Sequence, residues 1–347
     1  MVRIRWREVC LVFFLLGFRF PVSGETYTEA MAELYFGRQP SARSEALGKC
    51  GAGLSQGVYA SSDNPGLLSF ESHSQLGLSK SSPYYELDDS RFTYVGALYK
   101  KPGYGTFGIS SYYYHCYYPL TEVEDKQTAY TLSYAFLLFP DFSIGVNLNW
   151  MRDQVSSPIT HRDVNAFPVD VGLVKTFADS QGQVPDWLKE TQIGVSVLNV
   201  LASEIGDDQY KYPLPVVAKG GGSARLALSQ LPDWLSVLMT AEYQHVLNSK
   251  VHRCYKFGSE ITVSHWLSVR LGYYKESVDH YNNTLYRKYI EDVTYGLGVK
   301  IPFNQWTQSI PLEIQLDLVH LNQPSFNYFE PGAGDFTGVN VMFSWKR

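Results

Sequence analysis

Beyond its first two dozen residues this sequence contains no uninterrupted apolar run long enough to cross a bilayer as a helix. That gap excludes a helical membrane protein. It does not exclude a membrane β-barrel, whose strands carry apolar residues only at alternate positions. An excess of charge of one sign is also missing. The 29 Lys and Arg stand against 34 Asp and Glu, scattered along the chain, so no basic face is offered to nucleic acid. Cysteine is scarce: Cys10 falls in the export segment described below, and Cys50, Cys116 and Cys254 form an odd set at irregular spacing. That is neither a disulfide framework nor a zinc pattern, and the three read as isolated thiols, with one pairing of Cys50 to another left open. No nucleophile elbow, metal-ligand spacing or phosphate-cradling glycine loop is present, and the 8 histidines are scattered over loops and strand ends. An enzyme is therefore not expected, and no cofactor is expected.

What is present begins with an export signal. Arg3, Arg5 and Arg7 precede an apolar run from Val9 to Phe18, and Val22-Ser23-Gly24 offers small residues for cleavage before Glu25. Residues 1–24 are thus expected to be a signal peptide. Residues 25–70 differ from everything after them. Ala30 to Tyr35 suit a short helix, a stretch of small residues runs from Ser44 to Ser55, and Ser61-Ser62-Asp63-Asn64-Pro65-Gly66 is a turn signal. This block reads as compact and irregular, ahead of a sheet-forming region over 71–347.

In that region strict alternation dominates. Phe142, Ile144, Val146, Leu148 and Trp150 oppose Ser143, Gly145, Asn147 and Asn149, and Leu312, Ile314, Leu316 and Leu318 oppose Glu313, Gln315 and Asp317. A period of two puts successive side chains on opposite faces, and runs near ten residues fit tilted strands that cross a bilayer. Strands are predicted near 73–80, 91–99, 104–113, 127–138, 142–151, 168–177, 189–199, 215–229, 235–246, 254–263, 266–275, 292–301, 311–320 and 337–345. Short links at 100–103, 140–141, 231–233, 264–265 and 302–306 alternate with longer polar ones at 152–167, 200–214, 276–291 and 321–336, as short turns and long outer loops do in a bacterial barrel. Trp187, Trp234, Trp266, Trp306 and Trp345 gather at one strand end, and Tyr112, Tyr113 and Tyr273 toward the other, which makes two interfacial girdles. The last segment, with Val339, Val341, Phe343 and Trp345 in alternation, is placed to close the ring. A soluble sandwich or propeller would turn the same apolar faces inward. Strand length, loop asymmetry and one-sided tryptophans favour an all-β transmembrane antiparallel barrel of about fourteen strands.

If the apolar face meets lipid, the lumen receives Asp170, Lys219, Arg225, Glu242, Lys256, Glu260, Arg270, Lys300, Glu313 and Asp317. Acids and bases are matched there, whereas a strongly ion-selective pore would carry a ring of one sign. Matched charges suit ion pairs that tie the wall to itself or to an inserted plug. Gly220-Gly221-Gly222, inside a predicted strand, reads as a bend or a close backbone approach.

Ala42-Arg43-Ser44-Glu45-Ala46-Leu47-Gly48, then Gly51-Ala52-Gly53, then Ser62-Asp63-Asn64-Pro65-Gly66-Leu67 resembles the N-terminal signature of the PorV/PorQ family, within the wider FadL-like group. Tyr104-Gly105-Thr106-Phe107-Gly108, Ile193 to Asn199, Leu267 to Tyr274 and Gly296 to Lys300 resemble its strands. The resemblance implies a fourteen-stranded barrel in the bacterial outer membrane, whose N-terminal segment plugs the lumen through a motif at Asn64, Pro65 and Gly66. Beside outer-membrane lipid, it implies one of two kinds of partner. These are secreted proteins or secretion-machinery subunits in type IX secretion, or hydrophobic small molecules in transit. A structural or adhesive surface barrel that binds a partner through its long outer loops is the alternative.

Overall fold

A computed structural model of the chain describes residues 39–345 apart from the segments 83–89, 119–121, 159–160, 179–186, 207–210, 227–233, 249–252, 278–288, 304–310 and 323–334. The export segment, the short helix expected at Ala30 to Tyr35, Trp306 and most of the loops at 276–291 and 321–336 lie outside the described residues.

Three short elements come first: helix α1 (Ala42–Ala46) and two 3₁₀ segments, Gly57–Ser62 and Pro65–Phe70. The strands follow as β1 (Ser74–Ser82), β2 (Arg91–Lys101), β3 (Gly105–Tyr118), β4 (Val123–Phe139), β5 (Phe142–Ser156), β6 (His161–Ala166), β7 (Val169–Ala178), β8 (Leu188–Leu198) and β9 (Glu204–Gly206). The rest are β10 (Lys211–Pro213), β11 (Val217–Leu226), β12 (Leu235–Val246), β13 (Arg253–Val263), β14 (Leu267–Ser277), β15 (Tyr289–Ile301), β16 (Leu312–Asn322) and β17 (Asp335–Trp345). Each pairs antiparallel with its neighbours, and β1 pairs with both β2 and β17, so the sheet closes on itself. Closure pairs the two edges that an open sheet would leave facing lipid. Because β6, β9 and β10 continue β7, β8 and β11 past local breaks, the ring has fourteen strands.

The faces sort as a membrane barrel requires. Along β4, Tyr130, Leu132, Tyr134, Phe136 and Leu138 are exposed, while Ala129, Thr131, Ser133 and Ala135 between them are buried. The same inversion runs through β15, where Val293, Tyr295 and Leu297 are exposed and Thr294 is fully buried. A soluble sandwich would bury the first set and expose the second. Trp187, Trp234, Trp266 and Trp345 are exposed at the short-turn end, and Tyr113, Tyr117, Tyr130, Tyr243, Tyr255 and Tyr289 are exposed toward the long-loop end.

Two expectations are corrected. Tyr112 is not part of the outer girdle: its position on β3 has inward parity, and its ring is buried against Phe92 and Tyr94. The region 152–167 is not a long loop either. β5 runs on to Ser156 and forms a hairpin with β6, pairing Met151 with Ala166 through Ser156 with His161. Polar residues there, such as Arg152, Gln154 and Asp163, occupy outward positions of a sheet that continues past the apolar belt, so polarity alone mimicked a loop.

Candidate functional site

The lumen is filled from within by residues 41–70. An irregular backbone enclosed in a barrel must find partners for its N–H and C=O groups, and here the wall's polar inward face supplies them. Ser143 Oγ donates to the Gly66 carbonyl (2.6 Å), Ser196 Oγ to that of Asp63 (2.6 Å) and Ser223 Oγ to that of Gly53 (2.7 Å). Asn147 Nδ2 donates to the Ser61 carbonyl (2.8 Å), and the Ala42 N–H donates to Asn340 Oδ1 (2.7 Å). Glu242 accepts from the N–H groups of both Gly51 and Ala52 at 2.6 Å.

Wall glycines make room for this backbone. A Cβ placed at Gly258 would lie 2.6 Å from the Leu47 carbonyl oxygen, and one at Gly194 would overlap that of Ala52. The Gly220-Gly221-Gly222 stretch is one such seat, because a Cβ on Gly53 would meet the Gly221 oxygen at 2.6 Å, whereas Gly220 faces open space.

Asn64, Pro65 and Gly66 form a turn wedged against the wall. Asn64 caps the second 3₁₀ segment by accepting from the Gly66 N–H (3.0 Å), and Pro65 sits at its first position, where a missing N–H costs nothing. Asn64 Nδ2 donates to the carbonyl of Ala52 (2.8 Å) and lies 3.2 Å from that of Leu173 on β7.

The charges with inward parity divide into two groups. Toward the short-turn rim, Lys300 pairs with Glu313 (2.9 Å), and Arg225 Nη1 donates to Ser236 Oγ (2.8 Å). The others are buried. Lys219 reaches Asp63 at 2.6 Å, with the two side chains 1% and 0% exposed, and Lys256 reaches Glu242 at 2.6 Å. Arg43 grips Glu260 through two hydrogen bonds of 2.8 Å, Glu260 also accepts from Arg270 (2.6 Å), and Arg270 continues to Asp317 (2.7 Å). Asp170 takes amide donors only: Asn147 Nδ2 (3.0 Å), Asn149 Nδ2 (2.8 Å) and the Asn199 N–H (2.9 Å). Arg43 and Asp63, the segment's halves of the segment-to-wall pairs, were not singled out from sequence. The wall charges balance among themselves by count, so parity gave no signal for these two residues, which stand in the block that is not a strand.

On the β2–β11 side the interior turns apolar toward the long-loop end. Phe92, Tyr94, Tyr112, Tyr114, Met151, Val164, Ile205 and Leu214 are buried in one cluster with Tyr59, Leu67 and Leu68 of the luminal segment. Beside it the wall is interrupted. Pro168, without an N–H, separates β6 from β7, and Asn199 and Ala202, both at positive φ, separate β8 from β9. Across this break, among the described residues, β6 and β9 share a single bridge, Asn165 to Gly206. Phe167 and Leu201 flank it, 67% and 68% exposed.

A closed fourteen-stranded ring with an apolar outer belt, interfacial aromatics and a polar, segment-filled interior is the architecture of a bacterial outer-membrane barrel, and its fold is similar to that of solved FadL-type channels. Solved structures with this fold include a mutant of TodX, a monoaromatic hydrocarbon channel, with a TM-score of 0.56 and 12% identity over 88% of this chain and 99% of that one. CymD, also a monoaromatic hydrocarbon channel, gives 0.53 and 10% over 88% and 96%, and a Pseudomonas aeruginosa FadL homologue gives 0.53 and 11% over the same shares. No protein-family model and no curated protein matches the sequence.

Proposed function

We propose that this chain passes apolar small molecules across the outer membrane, with residues 41–70 as the plug that must shift for them to pass. The observation that carries this reading is the buried aromatic and apolar cluster, which lies directly behind the interruption between β6 and β9. A solute dissolved in the outer leaflet meets Phe167 and Leu201 at the break, then Val164, Ile205 and Met151 inside it. Such a route never asks an apolar molecule to cross water or a charged surface. The matched charges and sealed interior suit neither an open aqueous pore nor an ion-selective one. Neighbouring folds that carry monoaromatic hydrocarbons support the same class of cargo. Secreted-protein partners draw no comparable support, because their recognition would rest on outer loops largely beyond the described residues.

The test is uptake of a long-chain fatty acid and of a monoaromatic hydrocarbon into liposomes that hold the folded full-length barrel. Uptake above protein-free vesicles, altered when residues 44–66 are deleted, is expected. Absence of uptake, or uptake indifferent to that deletion, overturns the reading.

A further inference from the structure

Buried charge in the lumen does not balance where the wall is interrupted. Asp63, Asp170 and Glu242 form one connected cluster with Lys219 and Lys256: three carboxylates against two ammonium groups, all almost fully buried. Lys219 is engaged by Asp63 at 2.6 Å and Lys256 by Glu242 at 2.6 Å. The surplus charge is therefore that of Asp170, which is 6% exposed and has amide partners but no cation at ion-pair distance among the described residues. A buried carboxylate is normally paired, bound to a cation or neutralised by a proton.

A small cavity of about 30 Å³ lies against this residue, between Ser61 and Ser62 of the luminal segment and the wall. Asp170, Asn147, Asn149, Thr131, Tyr112 and the two serines bring oxygen atoms to it, and Ala129, Met151 and Leu198 complete the lining. Asn147, 1% exposed, lines it too. Its Nδ2 is used twice, toward the Ser61 carbonyl (2.8 Å) and Asp170 Oδ2 (3.0 Å), while its Oδ1 has no hydrogen-bond partner. Asn149 Oδ1 accepts from Thr131 Oγ1 at 2.7 Å. The space suits roughly one ion with a water, or two waters.

We propose that this cavity is a binding site for a small monovalent cation, sodium or potassium, held by the Asp170 carboxylate, Asn147 Oδ1 and the neighbouring hydroxyl and amide oxygens. One carboxylate among neutral oxygens matches a single positive charge, and hard cations take oxygen ligands. A divalent metal would want more charge, and no group of three or more His, Cys, Asp or Glu residues is assembled among the described residues. Because Ser61 and Ser62 form one wall of the cavity, the ion bridges the luminal segment to β5 and β7 and stabilises the seated arrangement by mass action. The inference is independent of what the barrel transports.

The experiment uses the purified barrel in detergent. Its thermal unfolding midpoint is followed in sodium or potassium chloride and in N-methylglucamine chloride at equal ionic strength, which holds screening constant. The expected result is a midpoint that climbs with the logarithm of sodium or potassium concentration and is flat in N-methylglucamine, with the steeper slope naming the ion. Asp170→Asn, and separately Asn147→Ala, should abolish or flatten that slope in a folded barrel. If neither variant folds, equilibrium dialysis of the wild-type protein against radioactive sodium or rubidium decides, one retained ion per chain supporting the site and none overturning it. A cation-independent midpoint in the wild type, or a slope that survives Asp170→Asn, refutes the proposal. So does a carboxylic-acid carbonyl band in the infrared spectrum that vanishes in Asp170→Asn, since a proton would then have taken the cation's place.

Discussion

Replacing Asp63 with alanine would leave the Lys219 ammonium, 1% exposed, without a direct ion-pair partner among the described residues, the Asp170 and Glu242 carboxylates acting on it only from beyond that distance. Breaking a buried pair from one side costs about 3–5 kcal/mol, because the stranded charge keeps its desolvation penalty. If that cost falls on the seated position of the luminal segment, the population of unseated molecules rises by roughly 10²- to 10⁴-fold. Arg43→Ala is a companion test. Glu260 loses two hydrogen bonds of 2.8 Å and is left to share Arg270 with Asp317, one guanidinium for two buried carboxylates, so the cost is again about 3–5 kcal/mol. Cys50 reports both. It is fully buried on the segment, and burial, together with the nearby Glu242 carboxylate, pushes its thiol up, so a seated Cys50 is inert to maleimide. In a background carrying Cys116→Ser and Cys254→Ser, labelling then proceeds through the unseated state, at a rate proportional to its population. Asp63→Ala and Arg43→Ala should each label much faster than wild type, and Asp63→Leu combined with Lys219→Met should label more slowly than Asp63→Ala alone, since removing both charges together leaves neither buried without its partner. The reasoning is refuted if Asp63→Ala labels no faster than wild type while keeping its heat-modifiable migration, or if the double variant labels as fast as Asp63→Ala alone.

Gly194→Ala drives a methyl group into the Ala52 carbonyl and should cost about 1–3 kcal/mol in segment seating, read by the same labelling, while Gly220→Ala, with open space around it, should be neutral. On the lipid face, Leu297→Arg in the middle of the exposed apolar row of β15 should destabilise the barrel by about 2–4 kcal/mol in urea titrations from lipid vesicles, against a small change for Leu297→Ala. A short cross-linker joining cysteines at positions 42 and 340, whose native residues are hydrogen-bonded at 2.7 Å, should leave apolar uptake intact. A short cross-linker between cysteines at positions 68 and 108 should abolish it, and the opposite order would contradict partial movement of the segment.

The barrel was legible because a period of two is written into every long strand, and because lipid inverts the ordinary rule for the apolar face. Leu132 and Leu297 announce themselves by being greasy and end up exposed. Parity also names ten charges, from Asp170 to Asp317, of which Asp170, Lys219, Glu242, Lys256, Glu260, Arg270 and Asp317 are buried while Arg225 and Lys300 are partly exposed. What parity could not supply is height along the axis or partners across the lumen. Arg152 and Gln154 are polar because β5 continues beyond the apolar belt, which sequence cannot distinguish from a loop. Tyr112 shares its residue type with the girdle tyrosines and differs from Tyr113 only in the side it faces. The luminal segment is the least periodic part of the chain and the hardest to read. Its conformation is dictated by glycine seats and hydroxyl donors on strands more than seventy residues away, such as Ser143 with Gly66 and Ser223 with Gly53.

The distribution of anchors along the segment constrains how it can move. The Arg43 end is held by the chain of charges through Glu260, Arg270 and Asp317, and Gly51 and Ala52 are held by Glu242. The turns at 57–70 face the aromatic cluster instead, through Tyr59, Leu67 and Leu68. A solute can displace the segment only by binding the displaced state more tightly, and a near-complete shift needs about 5.5 kcal/mol of difference. Small ligands supply at most about 1.5 kcal/mol per heavy atom, falling to about 0.3 for larger ones, and most of that is common to both states. Breaking two buried ion pairs at roughly 3–5 kcal/mol each lies beyond such a ligand. Rearranging apolar contacts around Leu67 and Leu68, with Asp63 and Asn64 as the nearest polar restraints, does not. Passage of an apolar solute is therefore consistent with a shift confined to residues 65–70, beyond the Asp63–Lys219 pair, and inconsistent with ejection of the whole plug.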